Sequence, residues 1–180
     1  MIIALAGRRI DAAEATTPRF PLDNVRLVAE RVRVELQRQS ATALISSAAC
    51  GVDLIGLEQA RALGLRRRVI LPFDAQTFRK TSVVDRPGDW GGLYDQTLAE
   101  VIQKGDLVIL PGGENSTAAY ATVNRAILDE AREIGRLAGT QVAAVIVWDG
   151  QSRGNDDLTA AFAEEAKSRH IPVVEVRTTI

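Results

Sequence analysis

Ser46-Ser47-Ala48-Ala49-Cys50-Gly51-Val52-Asp53 gathers small side chains, a glycine and a carboxylate where the apolar run Ala43-Leu44-Ile45 gives way to a helical pattern. Small side chains leave main-chain N–H groups accessible, and the first turn of a helix adds unpaired donors and the positive end of its dipole. Gly51 can take a backbone conformation closed to other residues. The chemistry expected here is phosphate binding by backbone N–H groups from Ser47 to Gly51, although a plain strand-to-helix connection uses the same residue types. Similar turns follow three further strand candidates: Gly7-Arg8-Arg9, Pro111-Gly112-Gly113-Glu114-Asn115-Ser116-Thr117 and Asp149-Gly150-Gln151-Ser152-Arg153-Gly154-Asn155-Asp156.

Arginines in or beside these turns offer planar, bidentate grips for phosphate or carboxylate. Arg8 and Arg9 are adjacent in extended chain and point opposite ways, so one faces a ligand; Arg8 is favoured, with a surface ion pair as the alternative. Ser152, Arg153 and Gly154 form a second anion cradle, with Asn155 as the expected N-cap of the next helix. Asp53 suits either a helix cap or a ribose hydroxyl. Trp90 and Tyr120 offer either base stacking or packing. Cys50 is either a thiolate favoured by a helix start or a small packed filler. His170 directly precedes Ile171-Pro172 and the last strand, at the sheet's amino end, which argues against nucleophile–histidine catalysis.

With one cysteine and one histidine, the chain has no internal disulfide and no Cys/His zinc site. No metal or cofactor is expected, and the lone thiol fits a cytoplasmic location. The 22 Lys+Arg against 23 Asp+Glu, with 4% aromatic residues, argue against a nucleic-acid partner. No apolar run reaches membrane-spanning length, and Ile2 to Ala6 is too short for a signal segment.

The elements that position these turns alternate along the chain. Ile2 to Ala6, Ala43 to Ser46, Arg68 to Pro72, Leu107 to Leu110, Val142 to Trp148 and Val173 to Val176 read as strands. Between them, Val25, Val28, Ala29, Val32 and Leu36 mark one helix with Asp23 as N-cap, and Leu54 to Leu63 another, closed by Gly64. Tyr94, Leu98 and Val101 share a helical face that stops at Lys104-Gly105. The Ala-rich helix from Thr117 turns Ala119, Val123, Ala126, Ile127, Ile134 and Leu137 inward and is compatible with a homodimer surface. A final helix contains Leu158, Ala161 and Phe162. Phe73 to Gly92 shows no period and reads as a functional loop or a disordered one.

Continuous apolar strands alternating with helices predict a single domain over 1–180 with a doubly wound, mainly parallel α/β sheet of about six strands. Ligands of such sheets bind beyond the carboxyl ends of the strands, where all four small-residue turns lie.

At these residues the chain resembles the SLOG superfamily, the Rossmann-like group containing the Smf/DprA DNA-processing proteins, the LOG cytokinin-activating hydrolases and nucleotide-linked sensor domains. Ser46 to Asp53 is similar to the family's S-G-x-A-x-G-[IV]-D turn, keeping Ser46, Ala49, Gly51 and Asp53 with serine at the second position. Leu5-Ala6-Gly7-Arg8-Arg9 is similar to the first family turn, and Trp148 to Gly154 to a W-D-G-x-S-x-G turn. Leu71-Pro72-Phe73, Phe78 and Ser82-Val83 look like the sensor branch.

The resemblance implies a nucleotide-like ligand held by Gly7, Arg8, Ser46, Ser47, Ala49, Gly51, Asp53, Gly112, Gly113, Asn115, Ser116, Ser152, Arg153 and Gly154. LOG hydrolases carry P-G-G-x-G-T-x-x-E, whose glutamate serves in cleaving the N-glycosidic bond of a nucleoside monophosphate. Pro111, Gly112 and Gly113 match it, but Asn115, Ser116 and Ala119 replace the later glycine, threonine and glutamate. Alanine cannot do acid–base work, so the expectation is a sensory domain for a nucleoside monophosphate or ADP-ribose-like ligand. Phosphoribohydrolase activity, with Glu114, Asp53, Asp149 or Asp156 as the carboxylate, is the first alternative. DprA-like single-stranded DNA binding is the second.

Overall fold

The computed structural model describes residues 1–111 and 115–180. The described strands are β1 (Ile2–Gly7), β2 (Ala43–Ser46), β3 (Arg66–Leu71), β4 (Leu107–Ile109), β5 (Val142–Trp148) and β6 (Val173–Arg177). They form one parallel sheet in the order β4-β3-β2-β1-β5-β6, with Ile2 in register with both Ala43 and Val142. The chain winds outward from β1 to β4, crosses back, and continues from β5 to β6. The fold is a doubly wound, Rossmann-like α/β sandwich, and its winding reverses between β1 and β5.

Strand periodicity divides the core in two. Ile3 and Leu5 of β1 face α1 (Val25–Arg38), α2 (Val52–Ala62) and α4 (Gly91–Gln103), whose Val28, Val32, Leu54, Leu57, Tyr94, Leu98 and Val101 are buried against them. Ile2, Ala4 and Ala6 face α5 (Thr117–Ala138) and α6 (Leu158–Ser168) through Val123, Ile127, Ala131, Ile134, Phe162 and Ala166. Burial on both faces explains why the strands read as unbroken apolar runs.

Several sequence expectations change. Asp23 does not cap α1: Leu22–Asn24 forms a 3-10 turn, and the Asn24 side chain instead donates to the Thr178 carbonyl at 2.9 Å. Leu137 is exposed and Leu128 takes the inward place, because the buried stripe of α5 rotates over its 22 residues. The aperiodic stretch from Phe73 contains a short helix, α3 (Ala75–Phe78), capped by Asp74 and continuing into a π-turn at Arg79–Val83. Phe73, Phe78, Val83 and Trp90 are buried, so packing orders this segment although its sequence has no helical stripe. His170 is exposed at the amino end of the sheet, as expected. No described helix is long and apolar enough to cross a membrane.

Candidate functional site at the carboxyl edge of the sheet

A cavity of about 520 Å³ opens at the carboxyl ends of the central strands. Gly7 at the end of β1 and Arg8 after it, Ser47, Ala49 and Asp53 after β2, Asn115 and Tyr120 at the start of α5, and Arg153 after β5 all line it. The fold thus brings residues from each of the four small-residue turns to one cavity. Gly112 and Gly113 of the third turn lie outside the described residues.

Within the β2–α2 turn, the backbone donors are partly committed to the protein itself. The Ala49 N–H donates to the Asp53 carboxylate at 3.2 Å and the Cys50 N–H to the Ser82 carbonyl at 2.9 Å. This corrects the expectation that every N–H from Ser47 to Gly51 faces a ligand. Ser46 is fully buried and donates its hydroxyl to the Leu5 carbonyl at 3.1 Å, which ties β2 to β1 rather than lining the cavity. Cys50 is buried, and burial pushes its thiol up, which makes it packing.

Gly51 has φ +93°, and a Cβ there would stand 2.8 Å from the Arg8 carbonyl oxygen and 2.9 Å from the Ile10 nitrogen. Its role is to let the β1 loop pass across the turn, where the Val52 N–H donates to the Arg8 carbonyl at 3.1 Å. Gly7 serves the same approach from the other side, since a Cβ there would meet the Val147 carbonyl and the Val52 side chain at 2.5 Å. Gly51→Ala combines a disfavoured positive φ with a backbone clash, and is expected to lower unfolding free energy by about 1–3 kcal/mol in urea titration.

Asp53 and Asp11 are the carboxylates that line the cavity among the described residues. Burial pushes the Asp53 carboxyl up to about 7, outweighing the Ala49 N–H, the Ser46 hydroxyl and the Arg9 charge that favour ionisation. A carboxyl of that strength exchanges its proton near neutral pH. Asp149 is instead locked in an ion network, and Asp156 is exposed outside the cavity lining.

The favoured anion grip of Arg8 is reassigned by the structure. Its side chain is 3% exposed, with Nε on Asp149 at 2.9 Å, Nη1 on Asp157 at 2.7 Å and Nη2 on the Gln151 carbonyl at 2.6 Å. The guanidinium also lies over the Trp148 ring, 5.6 Å from its centroid. Two carboxylates and a carbonyl occupy all three nitrogens, so Arg8 is a strut joining β1 to the β5–α6 turn. Arg9 points the other way and is bonded to Asp85.

The same network corrects the cap of α6. Asp157, not Asn155, is the N-cap, accepting from the N–H groups of Thr159 and Ala160 at 3.0 and 3.2 Å. Burial opposes ionisation of Asp157, but Arg8 and the N–H groups of Arg153 and Ala160 hold its carboxyl down at about 2. Arg153 donates its backbone N–H to Asp157 at 2.8 Å while its guanidinium stands 3.8 Å away and half-exposed. Burial and the Arg8 and Arg19 charges hold Arg153 below the usual arginine range. Of the two guanidiniums expected to meet a ligand, Arg153 is therefore the one at the cavity without a hydrogen-bonded carboxylate among the described residues.

At α5, Ser116 is the N-cap, its oxygen accepting from the Ala119 N–H at 3.2 Å, and it does not line the cavity. Asn115 accepts from the Tyr120 hydroxyl at 3.0 Å, and that hydroxyl lies 2.8 Å from the Ser82 hydroxyl. Tyr120 also packs edge-on against Phe73, with centroids 6.0 Å apart. Trp90 is buried and donates to the Pro87 carbonyl at 2.8 Å, away from the cavity lining. Ser152 accepts from the Gly154 N–H at 3.1 Å, and both are exposed outside the lining.

Two wall segments escaped the sequence reading. Asp11, Ala12, Ala15, Thr17 and Arg19 belong to a loop clasped at its ends by buried Ile10 and Phe20, with the Asp11 N–H on the Phe20 carbonyl at 3.0 Å. The Asp11 carboxylate also accepts from the N–H groups of Arg19 and Phe20 at 2.9 and 3.0 Å. Isolated Ile10 and Phe20 in an otherwise polar stretch were the available signal. Thr81, Ser82 and Arg86 come from the segment after β3, which read as a functional or a disordered loop and whose Ser82 entered only through the family resemblance, not as a contact.

No protein-family model and no curated protein matches this chain. Among solved structures, it is similar to DNA processing protein A (DprA) from Streptococcus pneumoniae, with a TM-score of 0.42 and 11% identity. The alignment covers 97% of this chain and 58% of that one, so the present chain spans little more than half of that protein's length.

Proposed function

We propose that this chain is a SLOG-type sensory domain of the cytoplasm that binds a small phosphorylated nucleotide derivative, a nucleoside monophosphate or an ADP-ribose-like molecule. The observation that carries the reading is the convergence of residues from four strand-following turns on one 520 Å³ cavity whose rim holds the Arg153 guanidinium. Concave sites of this size with a few convergent polar groups suit small ligands. Arg153 takes a phosphate, Ser47 and Asn115 supply polar contacts, and Tyr120 presents an aromatic ring to a base.

A ligand that binds only the folded state raises its melting temperature. A thermal-shift panel of AMP, ADP-ribose, related nucleotides and a single-stranded oligonucleotide tests the proposal. The expected result is a saturable shift with a mononucleotide or ADP-ribose that Arg153→Gln reduces. A shift with the oligonucleotide alone supports the single-stranded DNA alternative, and no shift at millimolar concentration removes the binding reading.

A second reading, hydrolysis of a nucleotide N-glycosidic bond, is favoured by Asp53 alone, because a cavity-wall carboxyl at about 7 suits general acid–base work. Incubation with AMP, followed by chromatography for free adenine, separates the two readings. Turnover abolished by Asp53→Ala establishes the enzyme; intact AMP with a positive thermal shift establishes the binding domain.

A further inference from the structure

Five arginines line the cavity among the described residues, and they are not equivalent. Arg8 and Arg19 are hydrogen-bonded to Asp149, Arg8 also to Asp157, and Arg9 to Asp85. The remaining two have only distant carboxylates: the Arg86 Nε lies 3.6 Å from Asp85, and the Arg153 Nε 3.8 Å from Asp157. Both of those carboxylates are already engaged by a second arginine, so neither can neutralise two guanidiniums. Asp11, an acid that lines the cavity together with Asp53, accepts the N–H groups of Arg19 and Phe20 on one carboxylate oxygen and has no hydrogen bond to any of the five guanidiniums.

The two under-neutralised arginines come from opposite flanks. Arg86 follows β3 on one side of β1, whereas Arg153 follows β5 on the other. Asp53, after β2, lies between those strands in the sheet order. A single phosphate at one arginine leaves the other with only a carboxylate it shares with a second arginine, and guanidiniums pair strongly with phosphate oxygens in bidentate geometry.

We propose that the cavity takes a nucleotide bearing phosphate groups on both sides of its ribose, with Arg86 holding one and Arg153 the other. This deepens the nucleotide reading above and rests on it. It distinguishes separated phosphates from adjacent ones, because β3 and β5 stand three strand spacings apart, roughly 14 Å, wider than two adjacent phosphates span.

Titration calorimetry with AMP, ADP and adenosine 3′,5′-bisphosphate tests the assignment, since the last two carry the same number of phosphates in different places. The bisphosphate is expected to bind at least tenfold more tightly than either AMP or ADP. Arg86→Gln and Arg153→Gln should each remove that advantage while leaving the thermal unfolding of the free protein within a few degrees, because both side chains are partly exposed. Equal affinity for the bisphosphate and ADP, or an advantage that survives both substitutions, overturns the two-flank assignment and leaves nucleotide binding standing. Failure of all three to bind overturns the nucleotide reading together with it.

Discussion

Arg8→Ala is expected to lower the unfolding free energy by about 3–5 kcal/mol, the cost of leaving the buried Asp157 without its hydrogen-bonded cation and Asp149 with Arg19 alone. Asp157 has a fully buried side chain and Asp149 is 8% exposed, and Arg8 is the group that bonds both. For a domain of this size that loss corresponds to a fall of roughly 10 °C in melting temperature. Arg8→Lys should recover little of it, because one ammonium cannot satisfy Asp149, Asp157 and the Gln151 carbonyl together. Pairing Arg8→Met with Asp157→Asn should recover part of the loss by removing one stranded charge. Urea denaturation of the three variants beside the original measures this, and an Arg8→Ala change within about 0.5 kcal/mol of the original, the range of an ordinary surface substitution, contradicts the strut role.

The second large effect is a pH-dependent one at Asp53. Its carboxyl stands at about 7 in the folded state against an ordinary value of 3.8, so the folded chain holds a proton that the unfolded chain releases between those values. The favourable contribution of that proton is complete below pH 3.8 and is lost as pH rises through 7. Asp53→Asn removes the titration, and should therefore match the original protein near pH 4 and exceed its stability by about 2–4 kcal/mol at pH 8. Thermal melts of the pair across pH 4 to 8 give the comparison. A constant difference over that range contradicts a proton held on Asp53.

Much of this arrangement was legible from residue pattern. Apolar strands without alternation required a sheet covered on both faces, and their spacing by helices required parallel crossovers, which together place the turns on one edge. Ser47, Ala49 and Asp53 reach the cavity as the small-residue pattern implied. Gly51 was singled out for its backbone freedom, but the freedom serves the crossing of the β1 loop and not the approach of a guest.

The misplaced roles share one physical cause: they depend on partners far away in sequence. Arg8 and Arg9 were expected to diverge, yet their carboxylates lie far along the chain, Asp149 and Asp157 for Arg8 and Asp85 for Arg9. Ser46 and Ser116 have the hydroxyl expected of a ligand contact, but Ser46 donates to a neighbouring strand carbonyl and Ser116 caps its helix outside the cavity lining. Asn155 and Asp157 are both competent caps, and the buried Arg8 charge favours the carboxylate. The Ile10–Phe20 clasp has no period to detect, because two anchors and a shared carboxylate hold it.

Occupation of the cavity at the carboxyl edge by a nucleotide is read out by amide chemical-shift mapping in NMR during titration with adenosine 5′-monophosphate. The predicted result is a saturable set of shifts concentrated at Ser47, Ala49, Asp53, Asn115, Tyr120 and Arg153, with the amides of the amino edge around Thr42 and His170 unmoved. Shifts centred instead on the open groove between α1 and the carboxyl-terminal segment, at Leu27, Val34, Val176 and Ile180, or no saturable shifts at all, would contradict it.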